Sequence, residues 1–176
     1  MHAWTAGAGD PPLRLVEQAA AKGDPDPKAV ACYGLLRRDT DAAGKPSEQM
    51  MLRFVAGRPV SHVTTQFLAW ACDELAREGK TALLLVWDNA SWHVSREVKG
   101  WVKAHNRKAR KGGGVRVVVC QLPVKAPWLN PIEPKWVHGK RAVVEPGRTL
   151  TAAELKQRVD DYYGCDPLPP LEQKVA

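Results

Sequence analysis

Asp88 ends a run of six apolar residues, Ala82 to Trp87, inside the stretch TALLLVWDNASWH at 81–93. That run is too short to span a membrane and fits a strand buried on both faces. In open α/β sheets, a polar residue just past the carboxyl end of such a strand stands at the crevice where ligands bind, which makes Asp88 a candidate for chemistry. Asp88-Asn89 is equally ordinary turn chemistry, reversing the chain and capping the next segment. A second carboxylate, Glu133, lies in LPVKAPWLNPIEPKW at 122–136. There Asn130 reads as an N-cap, Pro131 as the first helical residue and Glu133 as the third, so that the carboxylate has a capping role available to it.

Holding two carboxylates at one crevice requires strands and helices around them, and the hydrophobic pattern supplies both. Residues 1–28 are rich in Gly, Pro and Asp, with one short apolar stretch at Leu13 to Val16 and turn chemistry in GDPDP at 23–27. Ala29 to Leu36 reads as a strand, 37–49 as a polar hairpin connector and Met50 to Val55 as a second strand, an antiparallel meander. Ser61 reads as the N-cap of a helix in which Val63, Phe67, Trp70, Ala71 and Leu75 recur at helical spacing up to Gly79. Past Asp88, Ser95 caps a helix whose Val98, Trp101, Val102 and His105 share one face, and Gly112 to Gly114 breaks it. Val115 to Leu122 is a further apolar strand, and Asn130-Pro131 opens the helix carrying Glu133 and Trp136. Thr151 to Tyr163 forms a last amphipathic helix with Thr151 and Glu154 as a capping box. The order is β-β-α-β-α-β-α, with residues 29–163 as the folded domain and 164–176 as a tail.

Length suits one domain rather than two. No apolar run approaches the roughly 20 residues that cross a bilayer, and the N-terminus lacks a signal-peptide core, so a cytoplasmic protein is expected. Cys32, Cys72, Cys120 and Cys165 are far apart in sequence and form no zinc-like cluster. Cys32 and Cys120 fall inside apolar runs, and all four read as reduced and structural. The formal charge of +7 is unevenly spread, because Arg96 to Arg148 holds 13 Lys and Arg against three acids. A basic segment that begins shortly after Asp88 and contains Glu133 suits a phosphate-backbone ligand; alone, it is a solvated face.

Together the two stretches resemble the transposases of bacterial insertion sequences related to the mariner elements, whose DDE catalytic domain is an α/β, ribonuclease-H-like fold, a mixed sheet with flanking helices. In that family a hydrophobic strand ends in Asp followed closely by Asn and His, matched by Asp88, Asn89 and His93. A loop of the type LP-P-Y-x-P-x-L-N-P-I-E-x-x-W then delivers the last carboxylate, matched by Leu122, Pro123, Pro127, Leu129, Asn130, Pro131, Ile132, Glu133 and Trp136. Lys125 stands where the family loop carries an aromatic residue. The likeness covers Ala29 to Tyr163.

The resemblance implies a metal-dependent endonuclease and DNA strand transferase. Asp88 and Glu133 become the second and third acids of a catalytic triad and ligands of Mg²⁺ or Mn²⁺, two ions where the triad is complete, with Asn89, His93 and Asn130 supporting. A carboxylate at the start of a helix caps it without metal and turns to metal when DNA binds, so the two roles of Glu133 are compatible. DNA contacts are expected from Lys99, Lys103, Arg107, Lys108, Arg110, Lys111, Lys125, Lys135, Lys140 and Arg141, with transposon ends and target DNA as partners. Trp92, Trp128 and Trp136 offer base stacking, although packing is the expected role of at least two. The first acid belongs on a first, central strand that is not in this sequence. His2 to Thr5 resembles the hairpin after it, so that strand is expected before Met1. Asp10, Asp24, Asp26, Asp39 and Asp41 have turn-like surroundings and no strand leading into them. The chain is thus expected to be the C-terminal portion of a transposase, with the upstream part of the same enzyme as a partner and a homodimer allowed. It is expected to act at the nucleoid through DNA and to cleave little or no DNA alone. The alternative is a non-catalytic DNA-binding remnant.

Overall fold

The computed structural model describes residues 2–5, 14–17, 30–40, 43–145 and 148–172. The GDPDP turn, and Asp10, Asp24, Asp26 and Asp41, lie outside the described residues. Strands β1 (His2–Thr5) and β2 (Arg14–Glu17) pair antiparallel. They are followed by β3 (Ala31–Thr40), β4 (Pro46–Ala56), α1 (Ser61–Arg77), β5 (Ala82–Trp87), α2 (Arg96–Gly112) and β6 (Arg116–Gln121). A 3-10 turn at Pro127–Leu129 leads to α3 (Ile132–Val143), α4 (Ala152–Tyr163) and β7 (Leu171–Glu172).

The expected meander is present and longer than its apolar pattern suggested. β3 and β4 pair antiparallel from Ala31 opposite Val55 to Thr40 opposite Pro46, so most of the polar connector at 37–49 is strand. Arg38 and Glu48 face each other there at 2.8 Å, a cross-strand charge pair that apolar patterning does not register. The same extension places Asp39 inside β3, contrary to the turn-like setting read from its neighbours.

Helix α1 lies on one face of this hairpin, burying Val63, Phe67 and Leu68 against Tyr33, Val55 and β5. It opens from Val60 without a side-chain cap, so Ser61 is the first helical residue rather than the N-cap. Ile132 and Trp136 of α3, and Val159 and Tyr163 of α4, cover the opposite face at Met50, Leu52, Cys32 and Leu36. The capping box at the start of α4 is formed: Glu154 N–H donates to Thr151 Oγ1 at 3.2 Å and Thr151 N–H to Glu154 Oε2 at 2.9 Å.

β5 and β6 make a separate parallel pair, Ala82 opposite Arg116 through Trp87 opposite Gln121. Only one of its faces is covered. Leu85, Trp87 and Val117 are buried beneath α1 and α2 with Val98, while Leu84 is 67% and Val118 47% exposed. The expectation of strands buried on both faces is therefore corrected: no helix among the described residues lies over the second face. Cys120 is exposed for the same reason, although all four thiols are free as expected.

The outer rims of the two strand groups are covered in part. Along β4, Cys165 Sγ donates to Met50 O at 3.2 Å, Arg53 to Pro169 O at 2.7 Å, and β7 pairs with Val55 and Ala56. Along β6, Asn106 of α2 acts as a two-pronged strand mimic, accepting from Val117 N–H and donating to Val117 O, each at 2.8 Å.

Candidate active site

β5 presents Asp88 just beyond its carboxyl end, as the apolar run implied. Asp88 Oδ1 accepts the Ala90 N–H at 3.0 Å and lies 2.7 Å from His93 Nδ1, and the His93 ring stacks on Trp87 at 4.9 Å between centroids. Asp88 is thus both the turn former and a carboxylate held in one orientation, its side chain 48% exposed. Oδ2 has no protein partner among the described residues.

Asn89 joins the two sequence motifs directly. Its Nδ2 donates to Leu122 O at 2.7 Å, and Leu122 N–H reaches Trp87 O at 2.9 Å, so the loop carrying Glu133 departs from beside Asp88. The loop turns through Pro127–Leu129 into α3. The helix begins one residue later than expected: Pro131 is the N-cap, with no side-chain cap bond, and Asn130 contributes a backbone acceptor to Glu133 N–H at 3.1 Å. The capping reading of Glu133 is overturned by that shift. Its half-buried carboxylate has neither a hydrogen bond nor an ion pair among the described residues.

Asp88, Asn130 and Glu133 line one cavity of about 870 Å³ together with His93 and Lys140. Cys32 lines it too, but burial pushes its thiol up to about 11, leaving it neutral. Asp39 is at the far end, where Lys80 at 2.6 Å and Arg37 at 2.7 Å hold its carboxyl well below the usual range. An acid already neutralised by two cations is not free for a metal.

Of the expected basic residues, Lys99, Lys103, Arg107, Lys108, Arg110 and Lys111 are all exposed on α2 with no acid paired to them among the described residues. Lys125 is exposed in a left-handed backbone conformation, φ 60°. Lys135 is engaged with Glu48 at 2.7 Å, and Lys140 and Arg141 are exposed on α3. Two of the three tryptophans are packing residues as expected, Trp92 beside His93 and Trp136 beside Tyr163, whereas Trp128 is 75% exposed.

Sequence reasoning missed Gly34. A Cβ built there would strike the Trp136 ring of α3. That close approach seats the helix carrying Glu133, and a glycine in an apolar strand was its only sequence signal.

No helix among the described residues is long and apolar enough to cross a membrane. No curated protein and no solved structure matches the chain. The profile of the family described as DDE superfamily endonuclease matches residues 48–156, a span that takes in both carboxylates and more than half the sequence. With Asp88, Glu133 and the loop between them inside that span, the chain belongs to the DDE superfamily endonuclease family.

Proposed function

We propose that this chain is a transposase domain, of the type found in mariner-related insertion sequences, that acts on DNA phosphodiesters with Asp88 and Glu133 as metal ligands. Residues 29–163 form the catalytic unit, a ribonuclease-H-like fold in which the gap between β3 and β5 takes the place of the central strand. The observation that carries the reading is the shared cavity: two carboxylates, neither Asp88 Oδ2 nor Glu133 having a partner among the described residues, open on the same space.

The donor set fits Mg²⁺ or Mn²⁺, which prefer carboxylate oxygens. Bound there, such an ion would polarise a phosphoryl oxygen and lower the pKa of a coordinated water. The protein's own contribution is orientation. His93 fixes the Asp88 carboxylate, Asn89 fixes the loop, and the Gly34–Trp136 contact fixes α3. The unpaired cations of α2 neutralise phosphates, and Trp128 offers a face to an unpaired base.

Two carboxylates leave a pair of divalent ions under-neutralised, so weak metal binding and little or no DNA nicking by the chain alone are expected. The test is Mn²⁺ binding followed by electron paramagnetic resonance. Binding that weakens in Asp88→Ala and in Glu133→Ala supports the site, and binding indifferent to both removes it. Robust Mg²⁺-dependent nicking abolished by Asp88→Ala would overturn the inactivity while keeping the site. The row of exposed cations on α2 supports a second reading, a DNA-binding remnant. Salt-sensitive, metal-independent binding that survives both substitutions favours it.

A further inference from the structure

Three apolar side chains stand in water at the rim of the crevice. Val124 and Trp128 are each 75% exposed and Leu129 is 50% exposed, all in the segment that leads from β6 to α3. The Trp128 indole has no hydrogen-bond partner and no ring against it among the described residues. Apolar surface gathered in this way marks a place that something covers.

The segment is built to hold them out. Pro123–Ala126 is a tight turn closed by Ala126 N–H on Pro123 O at 3.3 Å, with Lys125 third in it at φ 60°, the left-handed conformation that a type II turn needs there. Ala126–Leu129 is a second turn, closed by Leu129 N–H on Ala126 O at 3.1 Å, and Asn130–Glu133 is a third, also at 3.1 Å. Asn89 Nδ2 holds the start of the segment at Leu122 O, and buried Ala126 and Ile132 anchor its middle and its end. Val124 and Trp128 therefore sit inside two successive tight turns, where Gly, Asn, Asp and Ser are the residues that turn chemistry favours. A loop hydrogen-bonded at its start, middle and end keeps the indole in solvent instead of folding it onto the core.

The place of the loop names its occupant. It starts beside Asp88 and ends at Glu133, five residues after Trp128, so the Cα atoms of Trp128 and Glu133 are at most about 17 Å apart, about five nucleotide rises along one strand. From Leu122 to Ile132 there is one cation, Lys125, and no acid. Aromatic and aliphatic side chains beside a cation suit the face of a nucleobase on an anionic strand. An apolar protein surface would instead meet Lys125 as an uncompensated charge.

We propose that Val124, Trp128 and Leu129 form a wedge that parts duplex DNA beside the phosphate held at Asp88 and Glu133. An aliphatic side chain enters a base step, and the indole stacks on the base so released. The substrate strand thus reaches the crevice unpaired, and the preferred substrate is a junction between paired and unpaired DNA, where the cost of opening is already met. This wedge rests on the reading of the crevice as a site for DNA phosphodiesters, and adds to it the element that makes the base unpaired.

The test compares binding of the full chain to a blunt duplex and to the same duplex with its last few pairs mismatched, by fluorescence anisotropy at one salt concentration. The forked DNA is expected to bind about tenfold more tightly. That ratio should fall close to one in Trp128→Ala and return in Trp128→Phe, with melting temperatures confirming that both variants fold. A 5-iodouracil at the fork should photo-cross-link to Trp128, located by mass spectrometry. A ratio of one in the parent chain, a ratio that Trp128→Ala leaves in place, or a cross-link on another face would overturn the wedge. A chain that light scattering shows to be dimeric, and that Trp128→Ala renders monomeric, would overturn it too by assigning the loop to a second copy. Equal binding to both DNAs sinks the wedge while Mn²⁺ binding at Asp88 and Glu133 still stands, whereas no binding to either DNA removes the wedge and the DNA reading together, so the two failures are distinguishable.

Discussion

His93 Nδ1 lies 2.7 Å from Asp88 Oδ1 while the imidazole lies nearly parallel to the Trp87 indole, at 6°. One ring thus does two jobs, and a substitution separates them. His93→Phe keeps a flat ring on Trp87 and loses the bond to Asp88. Mn²⁺ affinity is expected to fall roughly 10- to 100-fold, as for other partners that orient a ligand, with the melting temperature close to that of the parent. Unchanged affinity would show that the bond does not position the carboxylate.

Gly34 admits the Trp136 ring where any side chain would collide with it. Gly34→Val is expected to destabilise by about 1–3 kcal/mol through overpacking, and to weaken Mn²⁺ binding because Glu133 lies in the same helix, one turn before Trp136. Adding Trp136→Leu should recover part of both losses. Urea midpoints for the two single variants and the double variant check the coupling, and strict additivity would argue against contact as the cause.

Acid should loosen the start of α4. Arg148, then the Thr151 backbone and hydroxyl, hold Glu154 down to about 2 from an ordinary 4.5. A depressed folded-state value means that the unfolded chain takes up the proton first. The contribution is therefore complete above the unfolded value of about 4.5 and is lost as pH falls toward about 2. Asp39, held low by Lys80 and Arg37, acts with the same sign. Glu154→Gln should flatten the fall in urea midpoint between about pH 5 and about pH 3. An undiminished fall would place the acid sensitivity elsewhere.

DNA binding should depend on α2. Replacing Lys103 and Arg107 by Gln is expected to weaken binding on any sequence and to reduce the logarithmic salt slope by about one per charge removed. Asp88→Ala should leave that slope unchanged. Fluorescence anisotropy at several salt concentrations measures both, and a slope insensitive to α2 would move the DNA contact to another face.

Both carboxylates were legible because each stands at a boundary that local chemistry marks: Asp88 where an apolar strand stops, Glu133 beside Asn130-Pro131. The helices at 96–112 and 152–163 were legible from Ser95 and Thr151, whose caps form as expected. The capping arrangement that the neighbours of Glu133 suggest does not form, because the helix start is displaced by one residue. The exposure of Leu84 and Val118 was illegible, since an apolar strand carries no sign of whether its second face is covered. The Gly34–Trp136 contact joins residues distant in sequence, and pattern within a window does not reach that far.

A strand edge blocked at selected residues is a poor template for another strand. Exposed edges at the periphery let chains add without end, which is how strands build fibrils. Here Asn106 blocks β6 at Val117, and the tail from Cys165 to Leu171 blocks β4 at Met50, Val55 and Ala56, which leaves Val119 and Gln121 as the uncovered stretch of the β6 rim among the described residues. Edge-to-edge growth is thereby hindered: Asn106→Leu, which frees the Val117 groups, should enlarge the particles seen by light scattering, and unchanged size would show that the side chain does not guard the rim.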